Sequence, residues 1–213
     1  MSVPSHEEVW AFLSQESKPY KFEYVKAVQP LRISIERKTI YVNKRVLMNS
    51  IRSLVADGLD WKEIMRKDLM HEKAHELYFK WNVKWNIPAI KYGWLTSFLI
   101  DFVIDKVHFR ENARYQKLLL LDSCRAFKTM KNHLWNRFPL IDTRPHSLYN
   151  QAAYWVAIGA TRLSEAVDLY PEKADYIVEL SELFRQIKSE KDLGWAFLHA
   201  KKIYFEMIAS QQS

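Results

Sequence analysis

The residues best equipped for chemistry in this 213-residue chain are His71-Glu72-Lys73-Ala74-His75, an HExxH pattern. On a helix, His71 and His75 fall at i and i+4 on one face. Both imidazoles can then bind one Zn²⁺, while the carboxylate of Glu72 reaches a water molecule as general base. Those roles together are what metal-assisted hydrolysis requires. The surrounding residues agree: at about 100° per residue, Met70, Ala74, Leu77, Tyr78 and Trp81 form one apolar arc, and the two histidines sit at its edge, beside a hydrophobic wall.

A catalytic zinc site takes three protein ligands and keeps one position open. The metzincin extension of the motif would need Gly at 78 and His at 81, and Tyr78 and Trp81 exclude it. The tract that begins at Trp94 offers another source. It is apolar almost all round, through Leu95, Phe98, Leu99, Phe102, Val103, Ile104 and Val107. The exception is one stripe, Ser97, Asp101, Asp105, His108 and Asn112, which spans about 80° at helical spacing. A helix this apolar is expected to be buried. Carboxylates buried with it need a compensating charge or metal to offset their desolvation.

HExxH followed by a second helix with a carboxylate and, four residues on, another acidic residue resembles the gluzincin type of zinc metallopeptidase. The usual second pattern there is ExxxD; this chain has Asp101-Phe-Val-Ile-Asp105, starting 26 residues after His75. The stretch Leu99-Ile-Asp-Phe-Val-Ile-Asp is also similar to the second motif of predicted archaeal and bacterial metallopeptidases of minimal gluzincin type. The resemblance covers about residues 22–112 and implies a small sheet before the HExxH helix, one zinc ion per chain, and a peptide or protein substrate. It implies Asp101 as third ligand, with Asp105 orienting a ligating imidazole from behind. The family's glutamate is here the shorter Asp101, so His108 and Glu111 stand as substitute ligands.

Four downstream residues, His133, His146, Tyr149 and Tyr154, are of types that stabilise transition states, with no spacing to distinguish them from loop histidines and core-rim tyrosines. Two other readings use the same residues. Glu72-x-x-His75 and Asp105-x-x-His108 are also two acidic-x-x-His pairs, as in di-iron or di-manganese bundles, with Glu179 or Glu182 to complete them. The third is a basic, aromatic-rich helical module that binds nucleic acid or protein without catalysis.

The elements that must hold these residues follow from periodicity and capping. Helices are expected over 5–16 (Ser5 and Glu8 forming a capping box), 45–56 (stopping at Asp57-Gly58) and about 60–81 (Asp60 as N-cap, Glu63 completing the box). Leu31, Ile33 and Ile35, then Ile40 and Val42, alternate about Glu36-Arg37-Lys38-Thr39 as a β-hairpin. Pro88 and Gly93 bound a loop, one helix runs from Trp94 past Cys124, and a loop spans Phe138 to His146. Helical stretches then cover about 147–169, 172–188 and 190–209. The fold class is α+β and mostly helical: a zincin-like domain over 1–135 and a helical C-terminal region over 136–213 packed on it.

Composition supports this frame. Apolar residues make up 48 % and aromatics 14 %, enough for a core, and only 4 glycines argue against a turn-rich all-β fold. The net charge of +7 comes from 32 basic and 25 acidic residues scattered among one another, so nucleic-acid binding is allowed by charge without being required. A single Cys124 and a polar N-terminal segment point to the cytosol. The tract Trp94 to Val107, with Asp101 and Asp105 inside it, is too short to span a bilayer.

Overall fold

A computed structural model describes residues 2–26, 31–84, 89–132 and 145–209. It is an α+β, mostly helical fold that clusters into two compact units, and the division falls inside one helix, between Leu77 and Tyr78. The sequence-expected domain boundary near residue 135 lies outside the described residues.

The first unit opens with α1 (His6–Glu16), whose capping box closes as expected: Glu8 N–H donates to the Ser5 hydroxyl at 3.2 Å and Ser5 N–H to the Glu8 carboxylate at 2.7 Å. The hairpin is present as β2 (Leu31–Ser34) against β3 (Thr39–Val42), antiparallel, with Ile33 opposite Ile40 and the turn completed by Lys38 at φ 46°. A further strand, β1 (Lys21–Tyr24), joins β3 in parallel, so the sheet has three strands in the order β1-β3-β2. Periodicity misses β1 because Lys-Phe-Glu-Tyr lies on a sheet edge with three of its four residues exposed, leaving no apolar alternation to read.

Helix α2 (Lys44–Ala56) starts at Asn43, whose side chain accepts from Val46 N–H, and stops where expected, at Gly58 with φ +74°. Asp60 then accepts from Lys62 N–H at 2.9 Å and opens α3 (Trp61–Lys84). Leu13, Ile40, Val42 and Ile51 are fully buried and Leu54, Ile64, Met65 and Leu69 nearly so; they form the core of this unit.

In the second unit, α4 (Ala89–Val103) begins before Gly93, so that glycine sits in the helix rather than in a loop; Pro88 and Pro139 lie outside the described residues. The expected single helix through Cys124 is two. Helix α4 runs into a π turn (Ile104–His108), the chain breaks at Phe109–Asn112, and α5 (Ala113–Lys131) restarts with Asn112 accepting from Tyr115 N–H at 3.0 Å. The stretch 147–169 is likewise two helices, α6 (Pro145–Ile158) and α7 (Leu163–Leu169). Gly159 at φ +82° ends α6, with Ala160 N–H folding back to the Trp155 carbonyl at 2.8 Å. Pro145, expected in a loop, is the first residue of α6.

Pro171 opens a short 3₁₀ turn before α8 (Ala174–Gln186), and another leads into α9 (Leu193–Ala209). Ala152, Ala153, Ile177, Leu180, Phe184, Ala196 and Ala200 are fully buried, and Phe184 stacks on Phe102 of α4 at 5.1 Å. No helix among the described residues is long and apolar enough to cross a membrane.

Candidate metal centre

Helix α3 carries the HExxH residues in its middle, away from both fraying ends. His71 and His75 are half-buried, with ring centres 4.9 Å apart and planes at 77°, as the one-turn spacing demands. Glu72 between them is also half-buried.

The two variable positions of the motif are structural. Ala74 is 5 % exposed. The Lys73 ammonium donates to the carbonyls of Glu16 at 2.7 Å and Lys18 at 3.3 Å, holding the end of α1, and burial pushes its pKa down. Just beyond, the Tyr20 hydroxyl donates to Glu76 at 2.5 Å; burial, then that carboxylate, push its pKa up to about 12. One turn before His71, the buried ammonium of Lys67 pairs with Asp68 at 2.9 Å. Neither Lys67 nor Lys73 carries a sequence signal, since a lysine on a helix is ordinarily a solvated one.

Helix α4 is as apolar in place as its sequence implies, with Leu95, Leu99, Ile100, Phe102, Val103 and Ile104 buried. Asp101 is half-buried on it. His71 and His75 belong to the first unit and Asp101, the third ligand that the resemblance implies, to the second. The donors are two imidazole nitrogens and one carboxylate oxygen, a set that suits zinc.

The rest of the predicted stripe diverges. Asp105 is buried, 3 % exposed, and its two carboxylate oxygens accept from two tyrosine hydroxyls, Tyr115 of α5 on one and Tyr154 of α6 on the other. A buried carboxylate is thus provided with hydroxyl donors inside the second unit. Burial, then the charge of Asp105, hold the Tyr154 hydroxyl protonated far above the usual tyrosine range, with smaller contributions from Tyr115 and Asp101. Below Asp105 the π turn leaves its own carbonyl to the Gln116 amide, which also donates to the Phe109 carbonyl at 3.1 Å. Such turns recur at functional sites because they re-aim side chains within a helix.

His108 and Glu111, the substitute ligands, are exposed; His108 rests edge-on against Phe109 at 4.6 Å. Asn112 leaves the stripe to cap α5. Tyr149 packs its ring on Tyr170 at 5.2 Å, a rim position, and Glu179 and Glu182 are exposed on α8. His133 and the side chain of His146 lie outside the described residues. No sequence pattern singles out Tyr115, because its hydroxyl reaches Asp105 across a helix break that periodicity does not show.

No protein-family model, curated protein or solved structure matches this chain.

Proposed function

We propose that the chain is a zinc-dependent metallohydrolase acting on peptide bonds of a peptide or protein substrate in the cytosol. The observation that carries this reading is the pair His71 and His75, one turn apart in the middle of α3 with ring centres 4.9 Å apart and Glu72 beside the first of them; the gluzincin resemblance adds Asp101 as the third ligand. The choice of a peptide bond over other amides and esters comes from the gluzincin resemblance of residues 71–75 and 101–105.

Zinc held by those three side chains would supply the Lewis acidity that makes water a nucleophile near neutral pH. The protein does the rest. His71 and His75 present neutral imidazoles from one helix face, and Asp101 adds the negative charge that favours a divalent cation over a monovalent one. Glu72 takes the proton from the attacking water and returns it to the leaving amine. Half-burial of all four side chains limits competing water and strengthens their electrostatics.

Metal analysis tests the reading. Purified protein is expected to hold about one zinc per chain, as a single three-ligand centre requires, and His75→Ala to lose it. Two irons per chain, or zinc retained in full by His75→Ala, would sink the proposal.

A further inference from the structure

Helix α5 departs from the intermixing of charge along the rest of the chain. Five of its 19 residues are basic, Arg114, Lys117, Arg125, Lys128 and Lys131, and one, Asp122, is acidic, so this helix holds four of the chain's seven excess positive charges. At about 100° per residue the five fall within about 120° of arc, with Asp122 outside it. The opposite side is the packed one, where Tyr115, Leu119, Ser123, Phe127 and Met130 are buried. The basic side is exposed at Arg114, Lys117, Lys128 and Lys131 and half-buried at Arg125.

Little on the protein neutralises this face. Lys117 and Lys128 make no side-chain hydrogen bond or ion pair among the described residues. Lys131 reaches Glu165 of α7 at 3.6 Å, with both side chains about half exposed, a geometry that contributes little. Arg114 with Lys117, Arg125 with Lys128, and Lys128 with Lys131 are like charges three residues apart on one helix, which repel one another. An anionic partner would relieve that repulsion.

The charges stand in two groups, Arg114 and Lys117 before, Arg125, Lys128 and Lys131 after. The inner members, Lys117 and Arg125, are separated along the helix by about 12 Å at 1.5 Å per residue. That is about the width of the major groove of duplex DNA, whose two banks are phosphate strands. Between the groups, Leu121 near the middle of the arc and Leu120 at its edge are each 42 % exposed. The apolar group that a major groove offers to such side chains is the thymine methyl.

We propose that α5 is a docking helix for double-stranded DNA, lying across the major groove with Arg114 and Lys117 on one phosphate strand, Arg125, Lys128 and Lys131 on the other, and the two leucines over the groove between them. Phosphate contacts fix position without reading sequence, so binding is largely independent of sequence, with a preference for thymine beneath the leucines. All of these residues belong to the second unit, and the inference stands apart from the metal-centre reading.

The test is fluorescence anisotropy of a labelled, mixed-sequence DNA duplex titrated with the full chain over a range of salt. Five phosphate contacts predict a slope of about −4.5 for log affinity against log salt, a loss of about a few hundredfold between about 50 and 200 mM. Lys117→Gln with Lys128→Gln is expected to flatten that slope by about 2. Lys191→Gln with Lys202→Gln removes the same charge elsewhere on the exposed surface and should leave the slope unchanged. Leu120→Ala with Leu121→Ala is expected to weaken binding to a thymine-rich duplex severalfold at unchanged slope. Every substituted position is exposed, and circular dichroism checks the helix content of each variant. Equal flattening by the two lysine pairs would assign binding to diffuse surface charge and overturn the inference, as would the absence of duplex binding at about 50 mM salt. Double-helical RNA bound as tightly as DNA also overturns it, because side chains cannot read the narrow major groove of an A-form helix. Capture by phosphatidylserine vesicles without duplex binding gives the face to lipid and overturns it too.

Discussion

The ammonium of Lys73 donates to the carbonyl of Glu16 across 2.7 Å, so a residue inside the HExxH motif holds down the end of a helix some 57 positions earlier. In the proposed function the histidines on either side of it serve chemistry; Lys73 serves architecture, together with the Arg66 to Glu16 pair at 3.0 Å. The last carbonyls of a helix lack intrahelical partners, and a cation placed on them satisfies both the hydrogen bond and the helix dipole.

Replacing Lys73 by Met is therefore expected to cost about 1 kcal/mol of stability, a charged hydrogen bond discounted for partial exposure. Urea denaturation of the metal-free protein measures it. Zinc stoichiometry should not change, and an unchanged urea midpoint would show that the contact contributes nothing.

Glu72→Gln separates binding from turnover. The amide cannot accept the proton from water but leaves His71, His75 and Asp101 intact, so zinc content is expected to stay near wild type while peptide hydrolysis falls by about 10²- to 10⁴-fold. Full activity in Glu72→Gln would rule the carboxylate out as general base.

Alkaline stability reports on Tyr20. Its hydroxyl titrates near 12 in the folded chain and near the ordinary 10 once unfolded. Between those values the unfolded chain has lost the proton and the folded one has kept it, so stability conferred below pH 10 declines as pH rises toward 12. Tyr20→Phe lacks this titration and is expected to show a shallower decline over the same interval in pH-dependent urea unfolding. Superimposable slopes for the two proteins would contradict it.

Asn150 offers a double-mutant test in the second core. It is fully buried, its side-chain oxygen accepts from the Tyr176 hydroxyl at 2.5 Å, and its Nδ2 has no acceptor among the described residues. Tyr176→Phe leaves the whole amide unpaired and is expected to cost about 1–3 kcal/mol. Adding Asn150→Leu should recover most of that loss, because the pair is then apolar throughout. Additive losses in thermal or urea unfolding would instead show that Asn150 packs without regard to its polarity.

What could be read beforehand divides along physical lines. The HExxH residues, the caps at Ser5 and Asp60, and the stop at Gly58 are local chemistry, and local chemistry is written in neighbouring residues. Strand β1 escaped because its partnership with β3 is made at a distance in sequence and its own residues are mostly exposed. The π turn and the break at Phe109–Asn112 escaped because Val107 and Phe109 prolong the apolar pattern of α4 past its end. The partners of Asp105 were half legible: its need for compensation follows from burial, whereas its donors are hydroxyls brought from α5 and α6 by the fold.

The division of the chain between Leu77 and Tyr78 has a consequence for how such a protein can be inherited. It cuts a 24-residue helix two positions after His75, within the element that carries the motif. The motif would then lie in the last turns of the helix, where the terminal carbonyls lack intrahelical partners and the ends fray. Recombination at this seam would strand the motif on a truncated, fraying helix, so the two units are expected to pass between genomes together or not at all.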